Sequence, residues 1–286
     1  MTVWSIALLV VAGVGAGLLG SVAGLASLAS YPALLAVGLP PVAANVTNTV
    51  SMIGGTLGTI AGSRPELRGQ GRVLVPLVLI SMVAGAVGGA LLLLTPPGGF
   101  EAIVPWLIAA ASVLLVIGPR LRAAVEGRRS ARAAAGDETA PGEAGVGDAI
   151  ALGADPRPAD SPGAATAPPR VGPRTGAGVF GVAIYGGYFG AASGVMMLAL
   201  LSAVWTQSLA RTNAAKNVAT GSANLVAAVV FAFSGPVDWI AAAALCAGML
   251  VGSRIGPAVV RRVPATPLRI AIGLAGLGLA LSLWLQ

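Results

Sequence analysis

Lys216 is the only lysine of the chain, and it stands in an apolar run that continues to Phe233. Around it, from Arg211 to Asn224, the sequence reads RTNAAKNVATGSAN. Wound as a helix, this stretch puts Asn213, Asn217, Thr220 and Asn224 at i, i+4, i+7 and i+11, on one face with Lys216 beside it. Amides and hydroxyls can bind the oxygens of an oxyanion, and one ammonium supplies the compensating charge. A central charge costs about 2.5–3.5 kcal/mol on membrane-insertion scales, so such a group usually faces a cavity or a partner. The chemistry on offer is the binding of a small anion.

A counterpart lies in the first half, where Asn45 to Ser51 reads NVTNTVS. The same spacing there selects Asn45, Thr49, Met52 and Thr56, and Asn48 stands at the position of Lys216. These polar groups have a second reading as interhelical glue, worth about 0.6 kcal/mol each in measured membrane cases. Lys216, and Arg254 in a later apolar run, could instead snorkel to an interface.

Helices in lipid are the elements that must position these groups. Hydrophobic residues make up 56% of the 286 residues and charged residues only 9%, with a mean hydropathy of +0.87. An ordinary soluble domain carries about 25% charge. Several runs reach the roughly 20 residues that a helical crossing needs. The expectation is an all-α polytopic membrane protein with the lipid bilayer as its solvent. The net charge of +7 belongs to arginines between the apolar runs, which fits topology and no nucleic acid.

Apolar runs cover 3–37, 42–61, 73–94 and 102–117 in the first half. In the second they cover 175–202, 210–233, 238–259 and 267–285. The first run is too long for one straight crossing and contains glycines and Pro32, so it reads as a bent or interrupted helix. Between the halves, 120–174 is Ala-, Gly-, Pro- and Arg-rich and reads as a disordered cytoplasmic tether. The division expected is 1–119, first transmembrane repeat; 120–174, linker; 175–286, second repeat.

The halves align in order. Gly15, Gly20, Gly24 and Ser27 match Gly181, Gly186, Gly190 and Ser193; Asn45 and Val50 match Asn213 and Val218; Gly85 and Gly89 match Gly248 and Gly252. Duplicated halves are typical of secondary transporters. About eight transmembrane helices in two four-helix repeats with interrupted first helices would make the repeats parallel. The charge bias would then put both termini in the cytoplasm. In that scheme Arg211, Arg261 and Arg262 fall on the wrong side.

Catalytic and metal chemistry find little here. Histidine is absent, Cys246 is the only cysteine, and Glu66, Glu101 and Asp238 sit at loop edges. No Ser/His/Asp set, metal-ligand cluster or Walker A sequence occurs, so no enzyme, catalytic residue, metal or cofactor is expected. Gly15, Gly17 and Gly20 have the spacing G-x-G-x-x-G, but the first acid is Glu66, too far on for a dinucleotide site. Close helix packing explains them better.

Two stretches resemble a known family. SVAGLASLASYPALLAVGLPPVAANVTNTV is similar to the first-repeat signature of the TauE/SafE sulfite exporter family: a glycine-rich break, a Pro, a G-x-P-P turn, then A-x-x-T-N. YGGYFGAASGVMMLALL followed by RTNAAKNV resembles its second-repeat signature. The resemblance implies a multi-pass carrier of a bacterial cytoplasmic membrane, moving small anions such as sulfite or sulfonates. It implicates Gly24, Pro32, Pro40, Thr47 and Asn48 in one half, and Gly190, Gly194, Asn213, Lys216 and Asn217 in the other. The first break here reads Gly24-Leu25-Ala26-Ser27, less glycine-rich than the family pattern.

The expected substrate-binding residues are thus Asn45, Thr47, Asn48 and Thr49 with Asn213, Lys216, Asn217 and Thr220. The expected helix breaks are Gly24, Pro32, Gly190 and Gly194. A scaffold that docks partners through the central linker is the competing class.

Overall fold

The computed structural model describes residues 2–113, 171–205, 207–260 and 281, and all regular structure among them is helical. The first half gives α1 (Val3–Ala23), α2 (Ala26–Ala36), α3 (Pro41–Gly62), a single turn α4 (Arg64–Leu67), α5 (Gly71–Leu94) and α6 (Pro97–Val113). The second gives α7 (Pro173–Tyr188), α8 (Ser193–Val204), α9 (Leu209–Ser234) and α10 (Trp239–Val260). Val3–Ser21, Gly71–Leu94 and Ala210–Ser234 are long and apolar enough to cross a membrane on those grounds alone. The helix α3 has 22 residues, but its Asn, Thr and Ser side chains dilute its apolarity. The predicted crossing at 267–285 and the linker up to 170 lie outside the described residues, and α7 starts at Pro173, two residues before the expected boundary.

Local chemistry sets the helix ends. Proline opens α3 and α7, where its missing N–H costs nothing. The Thr2 hydroxyl accepts from the Ser5 N–H and caps α1. Gly24 stops α1 in the left-handed region, at φ +70°, a conformation that costs an L-residue about 1–2 kcal/mol. Gly190 at φ +78° and Ala192 at φ +61° do the same between α7 and α8. Pro32, expected at the first break, lies instead within α2, which runs on to Ala36. The left-handed glycine terminates the helix, while neighbouring helices can tolerate an interior proline in an apolar bundle.

At both breaks the chain reverses. Ser27 of α2 reaches Met52 of α3, and Ser30 reaches Asn48, so α2 runs against α3. In the other half Gly178 of α7 lies against Leu200 of α8, on either side of the 189–192 turn.

Helix directions follow from glycine contacts. Gly13 of α1 meets Leu245 of α10 and Gly17 meets Met249; Gly54 of α3 meets Cys246 and Gly58 meets Ser253. Hence α1, α3 and α10 run together. Ile80 of α5 meets Gly176 of α7, Gly88 meets Tyr188, Gly85 meets Ala223 of α9 and Gly89 meets Ala227. Hence α5, α7 and α9 run together as well. The two sets are opposed, because Thr56 of α3 meets Gly221 of α9, Met52 meets Asn224 and Val46 meets Gly235.

The two halves therefore run in opposite senses among the described helices, where the parallel arrangement expected from the sequence is not found. The returning pieces α2 and α8 change the parity of each half. Packing respects the inversion: α1 packs on α10 as α7 packs on α5, α3 on α10 as α9 on α5, and α3 crosses α9. The inversion also resolves the charge pattern. Arg64, Arg68, Arg72, Arg174, Arg211 and Arg254 all fall at one end of the bundle, while Val3, Glu101 and Asp238 fall at the other. Arg261 and Arg262 lie outside the described residues.

Candidate functional site

The breaks bring two helix N-termini face to face. A methyl group at Gly24 would lie 2.8 Å from the Gly194 Cα, and Gly190 sits beside Ser27. Neither α2 nor α8 has a side-chain cap at its N-terminus. Uncapped N–H groups and the helix dipole favour negative charge there.

A cleft of about 550 Å³, open part included, lies against this crossing. Gly17, Gly20, Ser21 and Gly24 of the α1 end and Gly190, Ser193 and Gly194 of the second break form one side. Met52, Gly55, Thr56 and Thr59 of α3 face Lys216, Asn217, Thr220 and Asn224 of α9 across it. Each set of four recurs at helical spacing, which is why one face of each helix can line one space.

Lys216 is 1% exposed. Its backbone carbonyl accepts from the Thr220 hydroxyl at 2.9 Å, but among the described residues no hydrogen bond or ion pair reaches its ammonium, and none reaches the Asn217 amide. No acidic side chain lines the cleft. Nearby, the thioether of Met52 accepts from Ser27 Oγ and from Asn224 Nδ2. The site thus offers one ammonium, amide and hydroxyl groups and two helix N-termini to a ligand, with no carboxylate to oppose a negative charge.

The family model described as Sulfite exporter TauE/SafE matches residues 9–283. The chain belongs to the TauE/SafE family. Searches of curated proteins and of solved structures returned no match. Membership makes it a multi-pass membrane protein of a transporter family, in keeping with its apolar helices.

The structure divides the residues that the sequence singled out. Lys216, Asn217, Thr220, Gly24, Gly190 and Gly194 meet at the cleft of this family member. Asn45, Thr47, Asn48, Thr49 and Asn213 do not line it. Asn45 donates to the Tyr188 carbonyl at 2.8 Å, Thr47 accepts from the Asp238 N–H at 3.0 Å, and Thr49 donates back to the Asn45 carbonyl at 3.0 Å. These are the bonds of interhelical and local glue. Pro32 also lies away from the cleft.

Other lining residues were not among those expected from the sequence. Met52, Thr56 and Asn224 carried a signal, since they belong to the predicted polar faces. Thr59 continues the α3 face by one more turn. Ser21 and Met249 had none, because they arrive by helix packing across the repeats.

The half of the bundle away from the arginines is filled. Tyr31 and Phe189 meet edge to face at 5.4 Å, and Phe100 contacts Tyr188 and Phe189 at 5.9 and 6.1 Å. At the offset that pairs Gly24 with Gly190, Tyr31 matches Met197 and Phe189 matches Ala23. The arginine-side half has no rings at those positions, and the cleft lies there.

Proposed function

We propose that this chain is a secondary carrier or facilitator for a small anion such as sulfite or a sulfonate, with Lys216, Asn217 and Thr220 as its first binding residues. The observation that carries the reading is a lysine only 1% exposed, with no hydrogen-bond or ion-pair partner for its ammonium among the described residues, lining one cleft with two uncapped helix N-termini. Leaving such a cation unpaired costs several kcal/mol, and a transported anion supplies the missing charge. Weak binding suits transport, because a carrier must also let go and change shape.

The arginine end is the cytoplasmic side on the positive-inside bias. The cleft then belongs to the cytoplasmic half of the carrier, and the start of α1 lies on the outer side of a bacterial cytoplasmic membrane. This orientation replaces the one drawn from eight crossings.

The test is flux of labelled sulfite and methanesulfonate into proteoliposomes, alongside thermal stabilisation of the detergent-solubilised protein by the same anions. Native protein is expected to show both, and Lys216→Met neither. Equal flux and equal stabilisation in a folded Lys216→Met variant would remove the reading.

A further inference from the structure

Asn48 and Asn45 are left with unsatisfied groups deep in the bundle. They are 1% and 0% exposed, and neither Asn48 Nδ2 nor Asn45 Oδ1 has a hydrogen-bond partner among the described residues. An orphaned polar group is costly in a water-poor interior, and here two fall within one turn of α3. Their other atoms have partners: Asn48 Oδ1 lies against Ser30 Oγ, whose single hydrogen is shared with the Ala26 carbonyl at 3.1 Å, and Asn45 Nδ2 donates to the Tyr188 carbonyl. Turning the Asn45 amide over would lose the Tyr188 bond, and whichever way the Asn48 amide is turned, one of its two polar atoms stays free.

Their place in the fold mirrors that of Lys216. Asn48 lies seven residues after Pro41, the first residue of α3, as Lys216 lies seven after Leu209, the first of α9. The two helices are antiparallel, so one residue approaches the midplane from each end. Asn48 is one turn beyond Met52, which lines the cleft. On the far side, the Tyr188 carbonyl that holds Asn45 belongs to the aromatic cluster.

We propose that Asn45 and Asn48 form a second, uncharged station on the anion's route, closed in this structure between the Gly24–Gly194 crossing and the aromatic cluster. The proposal rests on the anion-carrier reading. Asn48 Nδ2 is a free donor and suits an oxyanion oxygen; Asn45 Oδ1 is a free acceptor and suits a hydroxyl. Together they fit a hydrogen-bearing oxyanion, or an oxyanion that travels with one water. With no cation, this station holds the ligand more weakly than Lys216 does. The route therefore runs from a strong site near the arginine face to a weak one nearer the other.

The experiment measures flux and anion-induced stabilisation separately, with sulfite as the probe. Asn48→Asp keeps an acceptor for Ser30 and replaces the free donor with a carboxylate oxygen; Asn48→Ala removes the amide; Asn48→Ser keeps a smaller donor. Asp and Ala variants are expected to retain the sulfite concentration dependence of stabilisation while losing flux about tenfold or more, the worth of one charged hydrogen bond. The Ser variant keeps more flux than the Ala variant. Flux per folded molecule equal to native in both the Asp and Ala variants would overturn the station and leave a structural amide. Should the Asp variant fail to fold, the Ala and Ser pair decides by the same comparison. Loss of sulfite stabilisation in the native protein would instead sink the carrier reading itself, so the two failures are distinguishable.

Discussion

Gly24 and Gly194 meet backbone to backbone where the two interrupted helices cross, so that a Cβ on either would lie 2.8 Å from the other's Cα. Two N-termini can approach a shared cleft at that distance only without side chains between them. Alanine at Gly194 should destabilise the protein by about 1–3 kcal/mol, the usual cost of overpacking. Alanine at Gly24 adds the left-handed strain of φ +70°, about 1–2 kcal/mol more. Thermal unfolding in detergent should rank native above Gly194→Ala above Gly24→Ala; a Gly24→Ala protein as stable as native would refute the crossing.

Two glycines two residues apart, on opposite faces of α1, should respond in opposite directions. Gly17 faces the Met249 carbonyl and the Ser253 N–H of α10, whereas nothing lies within 4 Å of a Cβ at Gly15. Gly15→Ala is therefore expected to stabilise by about 0.5–1 kcal/mol through helix propensity. Gly17→Ala must push α1 off α10 and should lower the unfolding midpoint. All three glycines of the G-x-G-x-x-G spacing lie inside α1; Gly17 and Gly20 serve close packing, against α10 and Ala26, and Gly15 does not.

Lys216→Met should raise the stability of the empty protein while abolishing its response to anions. Lys216 is buried and its ammonium has no partner among the described residues, and a central charge is worth about 2.5–3.5 kcal/mol against insertion. The same change removes a charged hydrogen-bond donor worth about 1.5–3 kcal/mol to a ligand, or roughly 10–150-fold in affinity. Unfolding curves with and without sulfite check both signs at once. A residue kept only for structure would lose stability on substitution.

Sidedness can be read by thiol labelling in whole cells. On a Cys246→Ser background the protein carries no other thiol. A membrane-impermeant maleimide added from outside should label Gly98→Cys, exposed in the first turn of α6, and spare Arg68→Cys. Labelling only Arg68→Cys would reverse the orientation.

Sequence alone makes the chain a helical membrane protein and suggests two related halves. Apolar runs, sparse charge and the ordered recurrence of Gly24 with Gly190 and Asn45 with Asn213 are local or short-range signals. It also determined the polar face of α9, because 3.6-residue spacing places Asn217, Thr220 and Asn224 together whatever surrounds the helix.

Tertiary structure decided the rest. Hydropathy records that the chain is apolar across a break, but not whether it continues or reverses there. That choice turns parallel repeats into inverted ones and moves Arg211 from the wrong end of the bundle to the right one. It likewise parted Asn48 from Lys216. Their positions match in sequence, yet antiparallel packing of α3 and α9 sends them to opposite sides of the crossing at Gly24 and Gly194. Only the hollow side lies beside an ammonium, because the rings of Tyr31, Phe100 and Phe189 fill the other.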